Sequence, residues 1–270
     1  MKNTFIITLV AACLMSMTSC IYVNGNDNIG ITVSDTTDFV TRSYDLADFN
    51  AIDCSGVTHI TYKQADTYSL SARSTEKVLD NTDIEVRGNK LVISPKKSIK
   101  NMPPIFIELT TPELNDVDIS GASTFKASRI NTQNCFSLDI SGVAHVEFDS
   151  IYCASSGIDI SGASKIFGNI IATEDVDIDA SGAVKSEMSI KSNNLKLDCG
   201  GAIKMDLNFV GDTADIECSG AGKIVLDTQC NLLKAENSGV SKLTVKGTAK
   251  KTKLRTSGVS SIDTEDLNND

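Results

Sequence analysis

The chain has 270 residues, 41% hydrophobic and 22% charged, which suits a folded globular protein and excludes a disordered one. Asp and Glu number 35 against 25 Lys and Arg, a net charge of -10 that argues against nucleic acid as a partner, because phosphate recognition needs a basic surface. With no Trp and two His there is little material for aromatic sugar stacking, a His-rich metal site or a standard catalytic triad, so the composition favours an architectural or binding protein over an enzyme.

The N-terminus reads as an export signal. Lys2 supplies a positive start, Phe5 to Leu14 is a nearly unbroken apolar run, and Met17-Thr18-Ser19 leads into Cys20. The run is too short for a membrane span. Residues 1–19 resemble the signal peptide of a bacterial lipoprotein precursor, with Met17 where Leu is usual and Ser19 where Gly or Ala is usual. The resemblance implies cleavage before Cys20, lipidation of that cysteine and a membrane partner reached through the lipid. Each buried methylene contributes about 0.8 kcal/mol, so several acyl chains anchor firmly. Ile21 in place of Asp, by the same analogy, favours the outer membrane of a Gram-negative cell, on either its periplasmic or its surface-exposed face. Residues 20–42, rich in Asn, Gly, Asp, Ser and Thr, are expected to be a flexible tether.

Residues 43–262 form the body. In 43–115, Ile84-Glu85-Val86 and Leu91-Val92-Ile93 flank a Gly88-Asn89 turn and predict two paired strands. Pro95, Pro103, Pro104 and Pro112 are the only prolines, and all fall here. This stretch is expected to be an irregular β cap or a set of early coils covering one end of the regular repeats. Asp53-Cys54-Ser55-Gly56-Val57 looks like a first, isolated copy of the later repeat.

From 116 to 262 a unit of the form acid-x-Ser-Gly-Ala/Val recurs eight times, with Gly200 in place of the serine in the fifth and Arg255 in place of the acid in the eighth, its glycines Gly121, Gly142, Gly162, Gly182, Gly201, Gly220, Gly239 and Gly258 spaced by 19 to 21 residues. Apolar side chains stand mostly four and two residues before each glycine and four after it, the alternation of half-buried strands. Each unit is therefore predicted to be two strands joined by a tight corner. The corner glycine answers either to positive φ or to a close approach of backbone. A period this short leaves no room for a helix, and parallel stacking of the units gives each backbone group a partner above and below. The predicted fold is all-β, a right-handed parallel β-helix, a rod of roughly 40 Å at about 4.8 Å per coil. Residues 263–270 read as an acidic tail.

Besides Cys13 in the signal and Cys20, six cysteines remain: Cys54, Cys135, Cys153, Cys199, Cys218 and Cys230. No CxxC occurs, and the six are expected to be small buried side chains, Cys199 and Cys218 stacking in one inward column with Asn237 next; the alternative is a disulfide between Cys199 and Cys218, for which in-register parallel strands do not present ideal geometry. Asn237 is expected to hydrogen-bond within its coil.

Three residues before the glycines stand Asp118, Asp139, Asp159, Asp179, Asp198, Glu217 and Glu236, then Arg255; three after stand His145, Lys165, Lys185, Lys204, Lys223 and Lys242. Stacking turns each set into a column of like charge, and the plain expectation is that the two columns neutralise each other across the corner. A sharper reading gives the acidic column to Ca²⁺, since carboxylate oxygens suit a hard cation, although the Gly-Gly-x-Gly-x-Asp signature of calcium-binding rolls is missing. No other cofactor is indicated. His59 and His145 both fall three after a Ser-Gly glycine and read as members of the lysine column.

The Ser-Gly-Ala/Val units, preceded by Tyr44-Asp45-Leu46-Ala47-Asp48-Phe49-Asn50-Ala51-Ile52 and by Gly88-Asn89-Lys90-Leu91-Val92-Ile93, resemble the auto-transporter adhesin head GIN domain family over residues 43–262. The resemblance implies a right-handed β-helix on a cell-envelope protein, frequently a lipoprotein, with no assigned enzyme activity and no catalytic residues to carry over. The expected function is a non-enzymatic, adhesin-like surface for protein or glycan. The alternatives are a periplasmic structural lipoprotein and, third, a polysaccharide-active β-helix enzyme, which would need long loops that these uniform coils lack.

Overall fold

The computed structural model describes residues 38–97 and 102–269; the signal, Cys20 and the tether up to residue 37 lie outside the described residues. In chain order the elements begin with β1 (Phe39–Tyr44), β2 (Ala51–Cys54), β3 (Val57–Gln64) and β4 (Ser69–Thr75). A short helix α1 (Glu76–Asp80) precedes β5 (Thr82–Arg87), β6 (Lys90–Pro95) and β7 (Ile105–Thr111). Short and long strands then alternate: β8 (Asp116–Ile119), β9 (Ala122–Asn131), β10 (Phe136–Ile140), β11 (Val143–Cys153), β12 (Ser156–Ile160), β13 (Ala163–Ala172), β14 (Asp175–Ala180) and β15 (Ala183–Lys191). The series closes with β16 (Asn194–Cys199), β17 (Ala202–Val210), β18 (Thr213–Cys218), β19 (Ala221–Asn237), β20 (Val240–Thr256) and β21 (Ser261–Asn268).

Short strands pair with short strands and long with long, one coil apart and parallel, so the chain winds as a β-solenoid with two continuous walls. The alternation that predicted the strands also makes the core. In β17, Ile203, Met205, Leu207 and Phe209 are buried while Ala202, Lys204, Asp206, Asn208 and Val210 face out. Stacked over every coil, such inward sets merge into one hydrophobic core that runs the length of the rod.

The first Ser-Gly unit joins the stack, with β2 beside β8 and β3 beside β9. The cap does not follow it in space as it does in sequence. After β3 the chain doubles back, and β6 and β7 lie parallel on the far sides of β2 and β3, so these two strands form the outermost coil. β5 pairs antiparallel with β6 through the Gly88-Asn89 turn, and β4 and β1 add antiparallel strands beyond β7. Ile84 and Val86 of β5 pack partly buried on the core.

Two expected boundaries move. β1 starts at Phe39, inside the 20–42 stretch read as tether, because β4 offers it a complete antiparallel partner from Thr75 to Leu70. The last strand, β21, runs through residues 263–268, read as tail, since Asp263, Leu267 and Asn268 still find partners on β20.

Candidate functional site

The Ser-Gly corner positions every charged column. The N–H of the residue after each glycine donates to the carbonyl of the glycine one coil earlier, as Ala163 does to Gly142 at 2.9 Å and Ala202 to Gly182 at 3.0 Å. The same carbonyl oxygen occupies the space where a Cβ on the next glycine would stand. At Gly162 and Gly182 a methyl group would fall onto the oxygen of Gly142 and Gly162 respectively. Positive φ appears at the ends of the stack, for example +91° at Gly121 and +74° at Gly258, while the glycines between them need the absence of a side chain. Of the two sequence-level reasons for the glycine, close approach is thus the general one. The serine has its own partner: Ser181 Oγ donates to Ile160 O at 3.3 Å, Ser219 to Cys199 O at 3.3 Å and Ser238 to Cys218 O at 3.2 Å.

The register makes both columns real. Asp53, Asp118, Asp139, Asp159, Asp179, Asp198, Glu217 and Glu236 succeed one another on the short-strand wall, and Arg255 closes the series with Nη1 2.8 Å from Glu236. Charges about 4.8 Å apart repel by roughly 1 kcal/mol even in water. Burial, reinforced by Asp53, raises the Asp118 carboxyl above the ordinary aspartate range; burial, then Asp139 and Asp179, does the same at Asp159. Beneath this column runs a groove of about 620 Å³ bordered by Asp179, Asp198, Glu217 and Glu236 and floored by the Ser-Gly corners.

The expected neutralisation across the corner does not occur. Among the described residues no ion pair joins the acidic column to the lysine column; pairs form within each wall instead. Lys196 reaches Asp198 at 2.7 Å and Lys234 reaches Asp215 at 2.9 Å on the short-strand wall, while Lys185 reaches Glu187 at 3.2 Å on the other. The corner puts the two columns on different walls, and no member of the lysine column borders the acidic groove.

On the long-strand wall, Lys165, Lys185, Lys204, Lys223 and Lys242 form an unbroken row. Lys165, Lys204 and Lys223 have no ion-pair partner among the described residues. Next to this row, toward the corner, runs a second outward row that includes Ala183, Ala202, Ala221 and Val240, all exposed. His145 and His59 continue the lysine column as expected, and the cap extends it in a way the repeat did not reveal: Phe106 of β7 lies beside His59, with ring centroids 4.9 Å apart, and the Arg73 guanidinium of β4 sits 4.9 Å from the Phe106 centroid. The folding-back of β7 onto β3 places these residues, and no corner motif marks them in the sequence. Burial lowers both imidazoles below the usual histidine range, and His145 Nδ1 is buried without a hydrogen-bond partner.

Ca²⁺ gathers about six to eight oxygen ligands around one point. The acidic column supplies one carboxylate per coil along a line, and among the described residues no three His, Cys, Asp or Glu side chains converge on a point, so the arrangement does not fit the ion. The six described cysteines are free; five are buried as expected, while Cys135 is exposed at a turn between coils. Cys199 and Cys218 stack in register, and their mutual contact together with burial drives the Cys199 thiol strongly upward, so it stays protonated. Asn237, next in that column, is buried and donates to Ser241 O at 3.2 Å and to Ser261 O at 2.8 Å, while Ser241 Oγ donates to its Oδ1 at 2.5 Å.

Comparison with known proteins adds a family and a fold. Residues 48–189 and 174–270 match the model of the family described as "Putative auto-transporter adhesin, head GIN domain". A crystal structure of a putative adhesin from Parabacteroides distasonis is similar with a TM-score of 0.67 at 16% identity, covering 83% of this chain and 96% of that one. A putative adhesin from Bacteroides fragilis is similar with a TM-score of 0.55 at 22% identity, covering 84% of this chain and 97% of that one. No curated protein matches the chain.

Proposed function

The chain belongs to the auto-transporter adhesin head GIN domain family, and from that premise we propose that it is a non-enzymatic, adhesin-like module of the bacterial outer membrane, anchored by lipid at Cys20 and presenting its solenoid walls to a protein or glycan. One observation carries the reading: the corners from Ser120-Gly121 to Ser238-Gly239 are each two residues long and repeat in register, so both walls are chemically periodic along the stack. Such a surface recognises an extended partner by repetition of one contact. An active site, by contrast, collects different groups around a point, for which inserted loops are the usual source.

Two experiments test the proposal. Replacing Cys20 by Ser should release the protein from the membrane fraction; unchanged membrane retention overturns the anchor. Protease shaving of intact cells should remove the solenoid when a periplasmic lipoprotein in the same cells is spared. Protection until lysis, with cleavage afterwards, overturns the adhesin reading in favour of a periplasmic structural role. Binding of the purified full chain to an array of glycans and matrix proteins then defines the ligand, and an array without any specific binder counts against the module reading.

A further inference from the structure

We propose that the outer face of the long-strand wall binds a linear acidic polysaccharide, its carboxylates or sulfates on the row Lys165 to Lys242 and its sugar rings on the adjoining alanine row. This rests on the reading of the solenoid as a ligand-presenting module and names the class of ligand and the wall that takes it.

Four features converge on that face. The five lysines are held in register, one per coil, so cationic groups recur at the strand spacing of about 4.8 Å along a straight line. A sugar ring in an extended polysaccharide is of similar length, and one anionic group per sugar or on alternate sugars meets the row without bending. Lys165, Lys204 and Lys223 have no carboxylate partner within the described protein, so their charge is available. Beside the lysines, Ala183, Ala202 and Ala221 make a smooth apolar strip, the complement of the C–H face of a pyranose ring, whereas a bare phosphate chain has nothing to place there. The carboxylates of this wall, among them Glu147, Glu187, Asp206, Asp227 and Asp263, stand on the opposite flank of the lysine row, where Glu187 and Asp263 pair with Lys185 and Lys242, which directs an anionic polymer toward the alanine side. The net charge of -10 does not oppose this, because the continuous acidic column lies on the other wall and fields between exposed charges fade within about 8 Å at physiological salt.

The test is binding of the purified full chain to immobilised polygalacturonate, with methyl-esterified polygalacturonate and inorganic polyphosphate as comparators. The proposal expects saturable binding that salt weakens, that esterification abolishes and that polyphosphate competes for poorly. The triple change Lys204→Gln, Lys223→Gln, Lys242→Gln should weaken binding roughly tenfold, the scale of removing three exposed charge pairs at once. Removing equal charge elsewhere, at Lys250, Lys251 and Lys253, should leave it unchanged. Ala202→Glu, at an exposed position that tolerates a longer side chain, should weaken binding without lowering the melting temperature. Absence of binding to polygalacturonate overturns the proposal, as does equal loss in the two triple variants or polyphosphate competing as well as the polysaccharide. If polygalacturonate fails while a neutral glycan or a matrix protein on the array binds, this proposal falls and the module reading stands; if nothing binds, both fall.

Discussion

At the N-terminal end of the rod the outermost strands, β1 and β5, run antiparallel to their neighbours, with α1 and the buried rings of Phe49 and Tyr62 packed behind them. At the other end of the described residues the short-strand wall reaches the segment Lys251–Thr256 of β20, which among those residues pairs with β19 on one side only and is exposed throughout. A solenoid has two unpaired edges, and each is a template for unwanted strand addition. One end covers its edge with additional chain and core. The other leaves it open and charges it, with Lys250, Lys251, Lys253 and Arg255 in one short run. The first solution contributes stability, and the second contributes solubility.

The comparison can be broken at several points. The largest effect is expected between the ends, where the stack is tightest. Gly182→Ala sets a methyl group against the Gly162 carbonyl and should cost more than about 4 kcal/mol, whereas Gly258→Ala, whose nearest neighbour is the Gly239 oxygen at 3.1 Å, should cost about 1–2 kcal/mol, chiefly for its positive φ. Chemical denaturation of both variants checks this, and equal losses would mean that the corners are not a close-packed stack. At the covered end, Phe49→Ala should cost about 3–5 kcal/mol, while Leu254→Ala at the open end, with 38% of the residue exposed, should cost less than about 1 kcal/mol. Asn237→Ala should cost about 1–3 kcal/mol by stripping the Ser241 hydroxyl and two carbonyls of a buried partner.

Smaller still is the acidic column. Asp118 has a raised carboxyl pKa in the folded state, so the folded protein binds its proton more tightly than the unfolded chain does; the associated stabilisation is present below the unfolded value near 4 and is lost as pH rises through the raised folded value. Asp118→Asn should therefore stabilise the protein by a fraction of about 1 kcal/mol at pH 7 and by nothing near pH 3, as read from melting temperatures across that range. The smallest change in stability, within about 0.5 kcal/mol, is expected for Lys251→Val with Lys253→Val, yet light scattering should reveal concentration-dependent association that the parent chain lacks. A double variant that stays monomeric would remove the protective role assigned to that edge.

The regular coils were legible because one period, 19 to 21 residues, fixed the corner, the inward columns and both charged columns together. Gly56 revealed its coil by the same signature. The cap was legible only in pieces. The β5–β6 hairpin showed itself through Gly88-Asn89, but the placement of β6 and β7 outside β2 and β3 depends on tertiary pairing and leaves no periodic trace. For that reason Arg73 and Phe106 could not be assigned to the row that His59 belongs to. The neutralisation expected between Asp198 and Lys204, for example, failed for a related reason. Six residues of separation state how far apart two side chains are along the chain, but the bend at Gly200-Gly201 decides that they stand on different walls. Phe39 and Asp263 sit in stretches whose polar composition suggested tether and tail, and a neighbouring strand edge overrode that local preference.

The hydrogen bonds that join coil to coil also set how the molecule responds to force. They run along the rod, so tension applied between its two ends loads successive coils in series, and coils detach one at a time from whichever end is weaker. Among the described residues the last coil, β20 with β21, is the least covered, and it is the one expected to yield first. Each coil of about 19 residues releases roughly 60–70 Å of slack as it peels, while the remaining coils hold. Under the adhesin-like reading proposed above, an attachment through such a rod would meet shear with a stepwise give, and the packed N-terminal end would be the last part to let go.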